Sequence, residues 1–254
     1  MVSAALLMPG SIFAKTTSLD VPAKGGAWSA LTWSNGVPED GDTVILNNNN
    51  ASAVSVENDT ADVLAAIFTD GTSGVTIRGR DLTLTGDDSY TKTVSGVTYK
   101  YAISNEVPLV IDVPVVASNT PLWHLRNDLT FNYDVSVADE GGLYLYRTNA
   151  ECKDSANKET VFYDITFNGH FCATNATLAG NFWRYNKIIF NKSINMKEHP
   201  ALGQSTCSHF YFYAPSNTWT DVGDDVRRRQ RNERPHFVHA GLQRRQQLLQ
   251  LLRA

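Results

Sequence analysis

Leu129-Thr-Phe-Asn132, Ile165-Thr-Phe-Asn168 and Ile188-Ile-Phe-Asn191, with Leu82-Thr-Leu-Thr-Gly86 upstream, are the segments that decide how this chain folds. Each is a short run of apolar and β-branched residues that stops at Asn or Gly, the pattern of a strand with one buried face. In a coiled parallel solenoid every turn lays an equivalent strand on the last. Inward side chains then stack as an apolar column, and the closing Asn or Gly takes a left-handed or bulged corner. The four segments are unevenly spaced, which fits one or two turns of roughly 20 residues between them with loops inserted.

Similar bursts flank them: Thr43–Leu46, Ala53–Val56, Val75–Arg78, Leu109–Val113, Leu122–Leu125 and Leu143–Tyr146. The intervals leave no room for helices of ordinary length, so the chain reads as all-β, a right-handed parallel β-helix. The competing architecture is a β-sandwich, whose tight hairpins would be marked by Asn35-Gly36, Asp40-Gly41, Asp70-Gly71 and Asn168-Gly169. Composition agrees with either. With 254 residues, 42% hydrophobic and 10% aromatic, the chain can bury one core. Only 19% of residues are charged, with a net charge of −4. The polar complement is Asn, Thr, Ser and Gly, which suit turns and strand faces.

Met1 to Ala14 is a short apolar stretch resembling the later part of a secretory signal, with Ile12 and Ala14 in the −3 and −1 places and no basic region ahead of it. It is too short to span a membrane, which takes about 20 apolar residues. This divides the chain into a partial signal (1–14), an N-terminal cap and first rung (15–46), β-helix rungs (47–220) and a tail (221–254). Of three cysteines, Cys152 and Cys172 can close a loop in an oxidising compartment or stay as free thiols, and none forms a C-x-x-C pair with Cys207. The N-x-S/T triplets at Asn50, Asn58, Asn175 and Asn191 are expected by chance in so Asn- and Thr-rich a chain.

Trp28-Ser-Ala-Leu-Thr-Trp33-Ser-Asn-Gly36-Val-Pro38-Glu-Asp-Gly41-Asp-Thr-Val-Ile-Leu46 resembles the opening of large bacterial secreted proteins with autotransporter-associated β-strand repeats. Ser216-Asn-Thr-Trp-Thr220 is similar to the phrase that begins a repeat in such passengers. The resemblance implies a secreted or cell-surface, outer-membrane-associated β-helical stalk, here the N-terminal fragment of a longer passenger, that presents loops to surface glycans or other cells. It transfers no catalytic residue. Physically, paired indoles can lie across the open end of a solenoid that would otherwise expose apolar columns and strand edges.

Chemistry is sparse. No nucleophile elbow, phosphate loop, zinc helix or dinucleotide turn occurs, so no catalytic, cofactor or metal residue and no cofactor is assigned. Parallel β-helices of the pectin lyase-like kind also house polysaccharide lyases and glycoside hydrolases, which use clustered carboxylates. Candidates for that alternative are Asp87, Asp88, Asp112, Asp134, Asp139 and Glu140, with Arg126 and Arg147 as basic partners. Calcium at such a turn is a further option. His124, His170, His199 and His209 lack metal spacing, whereas His236 and His239 are spaced i, i+3 for a helix. Tyr144 and Tyr146, Phe182-Trp183 with Tyr185, and Phe210 to Tyr213 form a sugar-stacking platform if exposed in a row, although alternation is expected to bury every other ring.

From about Asp221 the composition changes to Arg, Gln and Leu without Lys, a helical or disordered tail that reads as a shifted frame. Its basic character is the only hint of nucleic acid, and no such partner is expected. The expected function is a non-catalytic structural or adhesin-like surface protein, with a carbohydrate-active β-helix enzyme as the alternative.

Overall fold

A computed structural model describes residues 14–94, 96–138, 143–146, 163–173, 178–180, 187–196, 208–212, 218–219, 236–240 and 249–251. Among these the chain is a parallel β-solenoid of about six turns, without an α-helix and with one 3-10 turn at Trp28–Ala30. The parallel pairing of successive coils sets the sandwich aside.

Three faces alternate along the chain. The first stacks Val54–Asn58, Val75–Gly79, Leu109–Ile111, Leu129–Phe131, Asp164–Phe167 and Lys187–Phe190. The second stacks the three-residue strands Leu82–Leu84, Val115–Ala117, Val135–Val137, Phe171–Ala173 and Ile194–Met196. The third stacks Thr16–Asp20, Asp42–Asn48, Val63–Gly71, Val97–Asn105, Pro121–Leu125, Leu143–Tyr146 and Leu178–Gly180. Of the four segments that decided the fold, three share the first face, in register. Leu82–Leu84 does not: it pairs with Val115–Ala117 on the second face. Both faces bury alternate residues of an apolar-polar-apolar triplet, so the local pattern cannot tell them apart.

The closing asparagines also differ from expectation. Among the described residues only Asn119 and Thr120 have positive φ without being glycine, so Asn132, Asn168 and Asn191 do not take the left-handed corner. They form a ladder instead. Asn132 Nδ2 donates to Asp112 Oδ1 at 2.8 Å, Asn168 to Asn132 at 2.9 Å and Asn191 to Asn168 at 2.7 Å, across steps of 20, 36 and 23 residues. The foot of the column is an ion pair, Arg78 to Asp112 at 3.4 Å.

Other corners use asparagines turned inward. Asn105, fully buried, donates to the carbonyls of Val107, Asn127 and Asp128, and its Oδ1 accepts from Arg126 N. Asn58 holds its own turn similarly, and Asn48 bonds both its own turn and the Gly74 carbonyl of the next coil. Glycine is required directly above them. A Cβ at Gly71 (φ 116) would lie 2.3 Å from Asn48 O, and one at Gly79 (φ 106) 2.2 Å from Asn58 O.

Inward residues make one continuous core. Phe131, Phe167 and Phe190 stack nearly parallel with centroids 5.3 and 4.9 Å apart, Trp123 lies on Phe131 at 4.9 Å, and Phe171 meets Phe167 edge-on. At the N-terminal end Trp28 and Trp33 are buried against each other, 5.3 Å apart and T-shaped, with Trp33 Nε1 donating to Trp28 O. Next to them Ser29 donates through its hydroxyl and its backbone N–H to the Asp59 carboxylate, which holds that group below the usual carboxylate range. A depressed folded-state pKa stabilises above the unfolded value, and that contribution is lost as pH falls through the folded one. Ser29→Ala should raise the Asp59 pKa toward its ordinary value, read by NMR titration of the carboxyl carbon.

In the tail, His236–Ala240 and Leu249–Leu251 are antiparallel strands, the former paired with Ser208–Phe212. The expected helix is therefore replaced where residues are described. His236-Phe-Val-His-Ala240 carries aromatic and β-branched residues that suit a strand beside an open edge, whereas so short a helix would be marginal alone. The helical i, i+3 metal spacing of His236 and His239 falls with it. The partial signal up to Phe13, Cys152 and Cys207 lie outside the described residues, and Cys172 is half-buried on the second face.

Candidate functional site: an aromatic patch on the third face

The third face carries the chemistry. Its outward column runs Ser18, Ile45, Phe68, Ser104, His124 and Tyr146, each stacked on the next coil. Two more tyrosines join from a neighbouring column, because Tyr101, Leu122 and Tyr144 share a register position. Strand alternation puts Leu143 and Leu145 inside and leaves both Tyr144 and Tyr146 half-buried on the outside. The rule that buries every other residue thus exposes this pair together, since they are two apart.

An insertion builds the rest. Asp87–Val94 folds back antiparallel on Val97–Asn105, lengthening that coil. Its first strand is irregular between Asp87 and Thr91, where the register shifts, and Asp88 and Tyr90 are exposed there while Lys92 beyond is half-buried. Tyr90, 49% exposed, packs edge-on against Phe68 at 5.4 Å. Lys92 Nζ sits 4.5 Å above the Tyr146 ring, and Lys100 pairs with Asp88 at 2.6 Å. Behind them Tyr101 meets His124 at 5.6 Å, His124 meets Tyr146 at 5.2 Å, and Tyr99 meets Tyr144 at 4.9 Å. Burial pushes the Tyr99 phenol up from its ordinary value. Ser104 Oγ lies 3.4 Å from His124 Nδ1.

The patch therefore offers aromatic rings, phenol hydroxyls, an imidazole and a cation lying over a ring. Such surfaces hold flat, partly apolar ligands by stacking, with hydroxyls and cations bonding the rim.

Of the candidate acids described, Asp88 alone lies in the patch, paired with Lys100, and the others go elsewhere. Asp87 is buried, accepts from Thr43 Oγ1 at 2.5 Å and from Ser89 N, and anchors the base of the insertion. Asp112 carries the asparagine ladder. Asp134 accepts from His170 N of the next coil at 2.8 Å, as Asp128 does from Asp164 N and Asp40 from Asp62 N and Val63 N. A corner carboxylate clamping the N–H of the following coil is a repeated device in this fold. Arg126 pairs with Glu106. Asp139, Glu140, Arg147, His199, Phe182, Trp183, Tyr185 and Tyr213 lie outside the described residues. Among the described residues no group of three or more His, Cys, Asp or Glu is placed to hold a metal ion, and no helix is long and apolar enough to cross a membrane.

No family model, curated protein or solved structure matches the chain.

Proposed function

We propose that this chain is a non-catalytic, adhesin-like β-helix displayed at a bacterial surface, of the autotransporter-passenger kind its N-terminal segment resembles, and that its third face binds glycans. The observation that carries the reading is the aromatic patch, in which Tyr90, Tyr101, His124, Tyr144 and Tyr146 are gathered from three coils and an insertion while the core needs none of them. The alternative enzyme reading is disfavoured because Asp87, Asp112 and Asp134 are each occupied in holding a turn or a neighbouring coil. Outward positions of the first face, Ser55, Thr76, Val110, Thr130 and Thr166, make a plain ladder of small side chains.

The test is a glycan array followed by titration of the best ligand. Tyr146→Ala and Tyr90→Ala should each weaken binding about tenfold, one stacked ring apiece, while the circular dichroism spectrum stays that of an all-β protein. Full affinity in the double variant would overturn the site. Turnover of a polysaccharide panel that Asp112→Asn or Asp134→Asn abolishes would instead establish the enzyme.

A further inference from the structure

Asp42 is completely buried at the start of a third-face strand, and one residue satisfies most of it. Lys15 N donates to Asp42 Oδ1 at 2.8 Å, and Lys15 Nζ lies 3.2 Å from Oδ2, which also accepts from Glu39 N at 2.8 Å. Lys15 O in turn accepts from Thr43 N, so the first strand enters the solenoid at this point. Glu39 brings a second carboxylate, 3.9 Å from Lys15 Nζ. The cluster thus holds two negative charges against one ammonium. A second positive charge would balance it, and the place nearest Asp42 is Lys15 N itself.

The bond just ahead of that nitrogen is the one with Ile12 and Ala14 in the −3 and −1 places of a secretory signal, and Ala14 is exposed. We propose that Asp42 is a built receptor for the α-ammonium freed when an export signal peptidase hydrolyses the Ala14–Lys15 peptide bond. The inference rests on the export reading above. Water adds to the Ala14 carbonyl carbon, the C–N bond breaks, Ala14 leaves as a carboxylate, and Lys15 N takes up protons to become an ammonium. One of its N–H groups keeps the existing bond to Asp42 Oδ1, which becomes a charge-assisted pair. Cutting precedes folding during export, so the mature terminus docks as the first strand pairs. Removal of the leader then stabilises the first coil, rather than leaving a frayed end.

Two experiments separate the parts. Mass spectrometry of the protein exported by a bacterial host should show Lys15 as its first residue, and a mature start elsewhere overturns the processing. Independently of export, two purified forms are compared by urea unfolding, one starting at Lys15 and one carrying two extra residues ahead of Ala14. The Lys15 form should have a folded-to-unfolded ratio about tenfold higher, and Asp42→Asn should erase the difference. Equal stability of the two forms, or a difference that survives Asp42→Asn, overturns the receptor. Should Asp42→Asn fail to fold, the acylation rate of the Lys15 α-amine decides. It should be at least tenfold slower in the folded wild type than in urea, and equal rates overturn the proposal.

Discussion

Phe167→Ala lowers the unfolding free energy by about 3 to 5 kcal/mol, the upper range for a truncation in the core. Phe167 is fully buried and has rings on three sides: Phe131 and Phe190 stacked at 5.3 and 4.9 Å, and Phe171 edge-on at 4.9 Å. Truncation removes its own buried area and two stacking contacts. It also leaves a cavity that a solenoid closes poorly, because backbone hydrogen bonds to the coils above and below fix the spacing. Urea denaturation of purified protein reads the effect. Phe167→Leu, which keeps most of the volume, should recover more than half of the loss. An alanine variant within 1 kcal/mol of wild type would mean that the column is not continuous in solution.

Trp33→Ala is expected to cost a similar amount, about 3 to 5 kcal/mol, but with a second symptom. Trp33 is 6% exposed and covers the fully buried Trp28, to whose carbonyl its indole donates at 3.0 Å. Losing it uncovers the apolar end of the columns and the neighbouring strand edge, so the variant should self-associate where Phe167→Ala stays monomeric. Analytical ultracentrifugation of both variants distinguishes an end cap from an ordinary core position. A monomeric Trp33→Ala of unchanged stability would remove the capping role.

How far the fold was legible depends on the face. The first face announced itself because Leu129–Asn132, Ile165–Asn168 and Ile188–Asn191 each end a buried pair with a polar residue at the same offset. Second-face strands such as Val115–Ala117 and Val135–Val137 are no shorter than Leu129–Phe131, but they are followed by Ser118 and Ala138 and not by Asn, so no shared closing residue marked them as one series. Leu82–Leu84 was placed on the wrong face because the triplet pattern is common to both. The insertion from Asp87 to Val94 disguised the coil length further. At the site, Tyr144 and Tyr146 were visible as a pair, and Tyr99-Lys-Tyr101 carries the same spacing. Their meeting with His124, Phe68 and Tyr90 depends on inter-coil register, which no local reading supplies. The acidic residues misled for a related reason: a corner carboxylate that holds the N–H of the next coil looks, in sequence, like any solvated or catalytic acid.

The ladder above Asp112 has a direction. An ionised carboxylate can only accept, so Asn132 must turn its amide nitrogen downward, and that choice obliges Asn168 and then Asn191 to do the same. No single amide can flip alone without facing nitrogen to nitrogen and oxygen to oxygen. The column is therefore a one-bit register written at its foot, with every dipole aligned along the solenoid axis. Replacing Asp112 by Asn would reverse the bit, because Arg78 would hold the new amide by its oxygen, and the amide nitrogen, now facing Asn132, would turn the whole column over.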